Sequence, residues 1–250
     1  MKHSRRQTLK TIVGAAAFPA AALPAAASRF RLIVLDVGGT IIEDRGDVPE
    51  ALRSAFANHG MTVTPAEIAE LRGASKRQVV RTFVERRTKS EAERKKLAEA
   101  IYKDFNTQVK KAYSTAKPIA GAEETFVKMR ASGYLLATGT GFDREICDSI
   151  FNRLGWGKYF VSTVTSDDVV EGRPAPYMIF HAMEAARVSS VAEVAVVGDT
   201  PLDLQAGNNA GVHGVIGVLS GASTAERLKT EPSTAILSSV ADLPTYLGKT

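Results

Sequence analysis

At 250 residues the chain is long enough for one sizeable core carrying an inserted subdomain. Its formal charge of +5 misleads, because residues 1–27 hold Lys2, Arg5, Arg6 and Lys10 and no acid; the remainder carries 28 basic against 27 acidic side chains, which makes no electrostatic case for nucleic acid. The single cysteine, Cys147, excludes an intrachain disulfide framework and a cysteine-built zinc site.

The opening segment has a basic start, an alanine-rich apolar stretch and small residues at Ala25-Ala26-Ala27, the pattern of a cleaved targeting signal. "SRRQTLK", Ser4 to Lys10, resembles the twin-arginine export motif, with Thr8 where phenylalanine is usual. The alternative is a short membrane anchor, for which Thr11–Ala27 is short and weakly apolar. The expectation is export with removal of residues 1–27 and a mature protein in the bacterial periplasm. No later stretch is long and apolar enough to span a membrane.

"LIVLDVGGTIIED", residues 32–44, is a buried strand that ends in Asp36 and turns at once through Gly38-Gly39-Thr40. Some seventy residues of helix follow. "PEALRSAFANHG", "TPAEIAELRG" (opened by Thr64-Pro65), "KRQVVRTFVERR" and "SEAERKKLAEAIYKDFNTQVKKAY" each read as helical. In the last, Leu97, Ile101, Phe105 and Val109 recur every four residues beneath a charged, solvated face. This block, residues 46–116, reads as a helical cap inserted into a core made of residues 28–45 and 117–250. From Lys117-Pro118 the alternation resumes: a helix at 122–130, strand "YLLATG", helix "DREICDSIFNRLG", strand "FVSTVTS", helix "PYMIFHAMEAARV", strand "VAEVAVVGDT", helix "LDLQAGNNAG" and strand "HGVIGVLS". That rhythm predicts a doubly wound α/β fold with a Rossmann-like parallel sheet.

Ligands of such sheets bind beyond the carboxyl ends of the strands. There the chain delivers Asp36, then Thr138 or Thr140, then Arg173 ahead of a helix start, then Asp199 and Asp203. Singly, each has a plainer reading as a cap, a turn residue or a surface cation. Together they form a carboxylate nucleophile, a hydroxyl, a cation and an acidic pair. Magnesium prefers oxygen ligands and bridges to phosphate, so a carboxylate attacking phosphorus beside it would be relieved of charge repulsion while Thr140 and Arg173 hold the phosphoryl oxygens.

Four segments in this order, "DVGGT", "TGF", "GRPAPY" and "GDTPLD", make residues 30–250 similar to the haloacid dehalogenase superfamily, in the subgroup whose cap follows the first strand. The resemblance implies an aspartyl-phosphate on Asp36, phosphoryl binding by Thr140 and Arg173, and magnesium held by Asp36, the backbone carbonyl of Gly38 and Asp199, with Asp203 just behind. Phosphatases of the superfamily carry aspartate where Gly38 stands, a general acid/base group typically worth ~10²–10⁴ in rate.

"RGASKRQVVR", "TGFDRE" and "GRPAPYMIFHAMEAARV" resemble the phosphonatase-like branch, which includes phosphonoacetaldehyde hydrolases and lacks that aspartate. The resemblance implies that Lys76 condenses with an aldehyde, so that carbon–phosphorus cleavage releases an enamine. A neutral amine is required, and Arg72 and Arg77 are candidate neighbours that would lower its pKa. The chain departs from the branch at Val79, where a histidine is usual, at Arg72, where a methionine is usual, and at Phe142, where a tyrosine is usual; it also has no cysteine soon after the first motif. The leading expectation is a magnesium-dependent hydrolase of a small phosphonate such as phosphonoacetaldehyde. The alternatives are a phosphoglycolate phosphatase-like enzyme acting on small phosphomonoesters, or a non-catalytic binding protein. The branch also implies a homodimer formed through the cap. The four histidines and Cys147 are expected to be structural or peripheral, and the Gly38-Gly39 turn lacks the third glycine of a dinucleotide fingerprint.

Overall fold

The computed structural model describes residues 29–70 and 74–248, so the expected signal, residues 1–27, and Arg72 lie outside the described residues. Strand β1 (Leu32–Leu35) is buried along its whole length, as a strand covered on both faces must be. Four helices of the insert follow it: α1 (Asp47–Asn58), α2 (Pro65–Glu70), α3 (Lys76–Arg87) and α4 (Glu91–Tyr113). Then follow α5 (Ala122–Ala131), β2 (Leu135–Gly139), α6 (Arg144–Leu154), β3 (Ser162–Val164), α7 (Tyr177–Ala186), β4 (Val194–Gly198), α8 (Pro201–Ala210), β5 (Gly214–Val218), α9 (Ala225–Leu228), β6 (Ala235–Leu237) and α10 (Leu243–Leu247).

The six strands form one sheet in the order β3-β2-β1-β4-β5-β6, and every pair is parallel. This is the doubly wound, Rossmann-like architecture that the strand–helix alternation predicts. Strand β6 and the helix after it were not foreseen, because "AIL" is too short to stand out as a strand and only half-buried. The chain winds outward from β1 through β2 to β3, then returns to place β4 on the other side of β1. Leu35 pairs with Thr138 of β2 and Val197 of β4, so the crevice at this reversal lies between Asp36 and Asp199.

Side chains alternate across β1. Ile33 and Leu35 join an apolar cluster with Phe126, Met129, Ile146 and Ile150 of α5 and α6, whereas Leu32 and Val34 pack with Met178, Ala182 and Leu204 of α7 and α8. The first cluster continues into the inserted helices through Phe56, Phe83 and Phe105, with Phe56 and Phe83 edge to face at 5.4 Å. Ile101, Phe105 and Val109 of α4 are buried and Leu97 is partly so, which is the stripe that its four-residue period requires. Ser90 opens α4 by accepting a hydrogen bond from the Glu93 amide at 3.4 Å. The two connections to the insert run side by side: the Ile119 amide donates to the Ile41 carbonyl and the Glu43 amide to the Lys117 carbonyl, both at 2.9 Å. Among the described residues no helix is long and apolar enough to cross a membrane.

Candidate active site

Asp36 leaves the end of β1 with its amide donating to the Val197 carbonyl of β4 at 2.9 Å, which fixes its carboxylate over the crevice. Arg173 reaches it from the loop before α7, with Nη1 2.8 Å from Asp36 Oδ1, and the same guanidinium nitrogen contacts Asp203. All three are buried. A desolvated cation against two carboxylates is a committed electrostatic arrangement, since neither side can retreat to water.

Asp199 follows β4. Its Oδ2 accepts the Ala222 amide at 2.7 Å, and its Oδ1 lies 3.5 Å from the Thr40 hydroxyl. Burial, reinforced by repulsion from Asp36, pushes its carboxyl up to about 7. Gly39 sits at φ +84°, and a Cβ there would run into the Asp199 carboxylate, so this turn admits only glycine. Asp203 also serves local structure: with Thr200 as N-cap and Pro201 at the first position of α8, its Oδ2 accepts the Thr200 amide at 3.0 Å and the Thr200 hydroxyl at 2.6 Å.

One oxygen each from Asp36, Asp199 and Asp203 lies within 4.8 Å of the others. Three buried carboxylates this close repel, and Arg173 supplies one positive charge among them. A hard divalent cation with oxygen preference fits this donor set and would remove the repulsion that raises Asp199.

Thr140, at the end of β2, is buried; its amide donates to the Val164 carbonyl at 2.9 Å and its Oγ1 accepts the Phe142 amide at 3.2 Å, so the hydroxyl proton is left for a ligand.

Lys76, the first residue of α3, is carried into the same cleft from the insert. It is 8% exposed, and its Nζ donates to the Ala74 carbonyl at 2.8 Å, with no ion pair among the described residues. Burial, and then the Arg173 charge, bring its amine down to about 8, with Asp36, Asp199 and Asp44 opposing. The neighbouring cation is therefore Arg173 and not Arg77. One position along a helix turns a side chain through about 100°, and the Arg77 guanidinium lies 4.1 Å from the Tyr102 ring and 3.4 Å from Glu99. The segment that carries Lys76 is seated by a close approach: a Cβ on Gly172 would stand 3.0 Å from Ser75 Cβ and 3.3 Å from the Ser75 amide nitrogen.

The cleft between insert and sheet holds a cavity of about 70 Å³ that Asp36, Lys76, Thr140, Arg173 and Asp199 all line, room for several water-sized groups. Among the residues facing it that motif reading does not single out are Asp44 from the connection after β1, Val48 from α1, and Tyr113 at the end of α4. Phe142 stands edge to face against Tyr113 at 4.8 Å. Beside the cleft, Asp143 ties sheet to insert by accepting from Tyr102 Oη and Asn106 Nδ2, both at 2.5 Å. Cys147 is fully buried in α6 and its thiol is pushed up to about 12 by burial, which leaves it without nucleophilic character.

A parallel sheet with a carboxylate at its switch point, an acidic triad beside it and a lysine presented by an inserted helical layer defines a class: an α/β enzyme built for chemistry on a small anionic substrate. Residues 33–218 match the haloacid dehalogenase-like hydrolase family. The chain belongs to that family and is a hydrolase, which sets aside the non-catalytic reading. It is 28% identical over 208 residues to a phosphonoacetaldehyde hydrolase of Bacillus cytotoxicus, covering 78% of each chain. Among solved structures it superposes on a phosphonoacetaldehyde hydrolase-like protein from Oleispira antarctica with a TM-score of 0.75 at 24% identity, covering 92% of this chain and 95% of the other. A predicted phosphoglycolate phosphatase from Haemophilus somnus gives 0.73 at 18%, covering 87% and 98%. Likeness at these structural identities establishes the shared fold.

Proposed function

We propose that the protein is a phosphonatase-like hydrolase that cleaves the carbon–phosphorus bond of a small phosphonate of the phosphonoacetaldehyde type. The observation that carries this reading is the placement of Lys76, buried and without an ion pair among the described residues, in the same cleft as Asp36. The similarity to the Bacillus cytotoxicus phosphonoacetaldehyde hydrolase supports it.

With its pKa near 8, roughly one Lys76 amine in ten is neutral at pH 7. The neutral amine adds to the aldehyde carbon, and loss of water leaves a protonated imine. Asp36 then attacks phosphorus. The carbon–phosphorus electron pair moves into the imine, giving an enamine on Lys76 and a phosphoryl group on Asp36. Protonation and hydrolysis of the enamine return Lys76 and release acetaldehyde, and water releases phosphate from Asp36. Because the imine accepts the departing electrons, no carboxylic acid is needed at residue 38. Thr140 donates to a phosphoryl oxygen, and Arg173 turns from Asp36 toward the transferring group. Magnesium would be held by Asp36, Asp199 and the Gly38 carbonyl, with Asp203 behind, and supplies charge neutralisation there when bound.

Incubation with phosphonoacetaldehyde and magnesium, following phosphate and acetaldehyde together, tests the reading. Equal release of both, abolished by Lys76→Ala and Asp36→Asn, with a borohydride-trapped adduct on Lys76, is the expected result. Phosphate from a simple ester alone, unaffected by Lys76→Ala, would establish instead a phosphatase of small phosphomonoesters. One observation favours that second reading: Asp44 lines the cleft and offers a carboxylate to replace the one missing at residue 38. The leader "SRRQTLK" carries our further proposal of twin-arginine export to the periplasm; a reporter fused after residue 27 should lose export when Arg5 and Arg6 become lysine.

A further inference from the structure

Position 38 is a glycine, yet the space beside it is occupied. A Cβ built on Gly38 would lie 3.5 Å from the Phe142 ring and 3.8 Å from the Tyr113 hydroxyl, both ordinary contact distances. The phenol of Tyr113 thus ends where a side chain from residue 38 would begin. Tyr113 is 3% exposed, it lines the cleft, and among the described residues its hydroxyl has no hydrogen-bond partner. The hydroxyl opens on the cleft, where a ligand oxygen can take the place of water as its partner. The ring is held in place by Phe142, edge to face at 4.8 Å, and by the end of α4.

We propose that Tyr113 is a specificity-determining hydrogen-bond donor: its hydroxyl binds a substrate oxygen on the side of the molecule away from phosphorus. This rests on the reading of the cleft as an organophosphorus site. Burial, with Asp44, Asp47 and Asp36 nearby, drives the phenol above its ordinary value, so it stays protonated and donates without giving up its proton. The substrate class it selects is a short phosphonate or phosphate with an oxygen one or two bonds beyond the phosphorus-bearing atom. Inorganic phosphate, which occupies the Thr140 and Arg173 end alone, gains nothing from Tyr113.

The test is calorimetric binding to the magnesium-loaded protein of two probes, phosphonoacetate and inorganic phosphate, by wild type and Tyr113→Phe. Loss of one well-placed hydrogen bond of about 1.4 kcal/mol corresponds to about tenfold in affinity. Phosphonoacetate is expected to weaken about tenfold while phosphate binding and the unfolding temperature stay unchanged. Equal affinity of both proteins for phosphonoacetate, equal weakening for both probes, or no binding of phosphonoacetate to wild type would each overturn the proposal. Phosphonoacetaldehyde turnover is followed separately. A wild-type protein that binds phosphonoacetate through Tyr113 but leaves phosphonoacetaldehyde intact overturns the carbon–phosphorus reading and leaves the role of Tyr113 standing.

Discussion

Lys76→Met removes a buried amine while keeping most of its apolar stem, and the structure predicts that the variant is more stable. Holding the amine at about 8 instead of its ordinary 10.5 corresponds to about 3 kcal/mol of disfavoured charge at pH 7. Against this, the Ala74 carbonyl loses its 2.8 Å partner, at about 1 kcal/mol. The net expectation is about 2 kcal/mol, or roughly 4–8 °C in unfolding temperature for a chain of this size. The sign of the pH dependence follows from the direction of the shift. The folded pKa lies below the unfolded one, so below pH 8 both states are protonated and the folded state bears the whole cost. Between 8 and 10.5 the folded amine is neutral while the unfolded one still binds a proton, and the cost fades. The advantage of the variant should therefore be full at pH 7 and shrink to near zero by pH 10. Urea unfolding of both proteins in EDTA at the two pH values measures it. A variant no more stable than wild type at pH 7, or an advantage that does not change with pH, would refute the claim that burial lowers the pKa of this amine.

Gly172→Ala places a methyl group 3.0 Å from Ser75 Cβ and displaces the segment that carries Lys76; turnover should fall at least tenfold with circular dichroism and unfolding temperature nearly unchanged. Gly38→Asp finds contact distances of 3.5 Å and longer at its Cβ, so it should fold and should raise phosphomonoester turnover about 10²-fold by supplying an acid/base group, as read by phosphate release. Tyr102→Phe deletes a 2.5 Å hydrogen bond to the buried Asp143, and urea unfolding should register a loss of about 1.5–3 kcal/mol. Chelation by EDTA should abolish phosphate release and added magnesium restore it, while magnesium should also raise the unfolding temperature by binding the folded carboxylates.

The sheet was legible because a strand covered on both faces is a continuous apolar run, and "LIVL", "VAVV" and "GVIGV" stand out between helical periods. The site was legible for a related reason: Asp36, Thr140, Arg173 and Asp199 all follow strand ends, where an open parallel sheet gathers its ligands. Side-chain direction was harder. Lys76 and Arg77 are adjacent cations on paper, yet one is buried in the cleft and the other lies over Tyr102. Tyr113 and Asp44 escaped notice because neither sits at a strand end; Tyr113 enters the cleft from the last turn of α4 and Asp44 from the connection after β1. The approach of Gly172 to Ser75 is a contact between segments nearly a hundred residues apart, and no local pattern encodes it.

That contact has a chemical corollary. Gly172 precedes Arg173 and Ser75 precedes Lys76, so a single touching point sets both cations in place. Any movement that parts Ser75 from Gly172 also admits water to Lys76 and takes the Arg173 charge away from it. The amine then returns toward its ordinary basicity, and the neutral fraction that reacts with carbonyl compounds falls from about one in ten to well under one in a hundred at pH 7. A reactive lysine on permanent display would be exposed to every stray aldehyde and sugar in its surroundings. On the proposed reading of Lys76 as an imine-forming residue, its nucleophilicity would belong to the arrangement in which Ser75 and Gly172 touch, and the glycine that permits this approach would also shield the amine from side reactions.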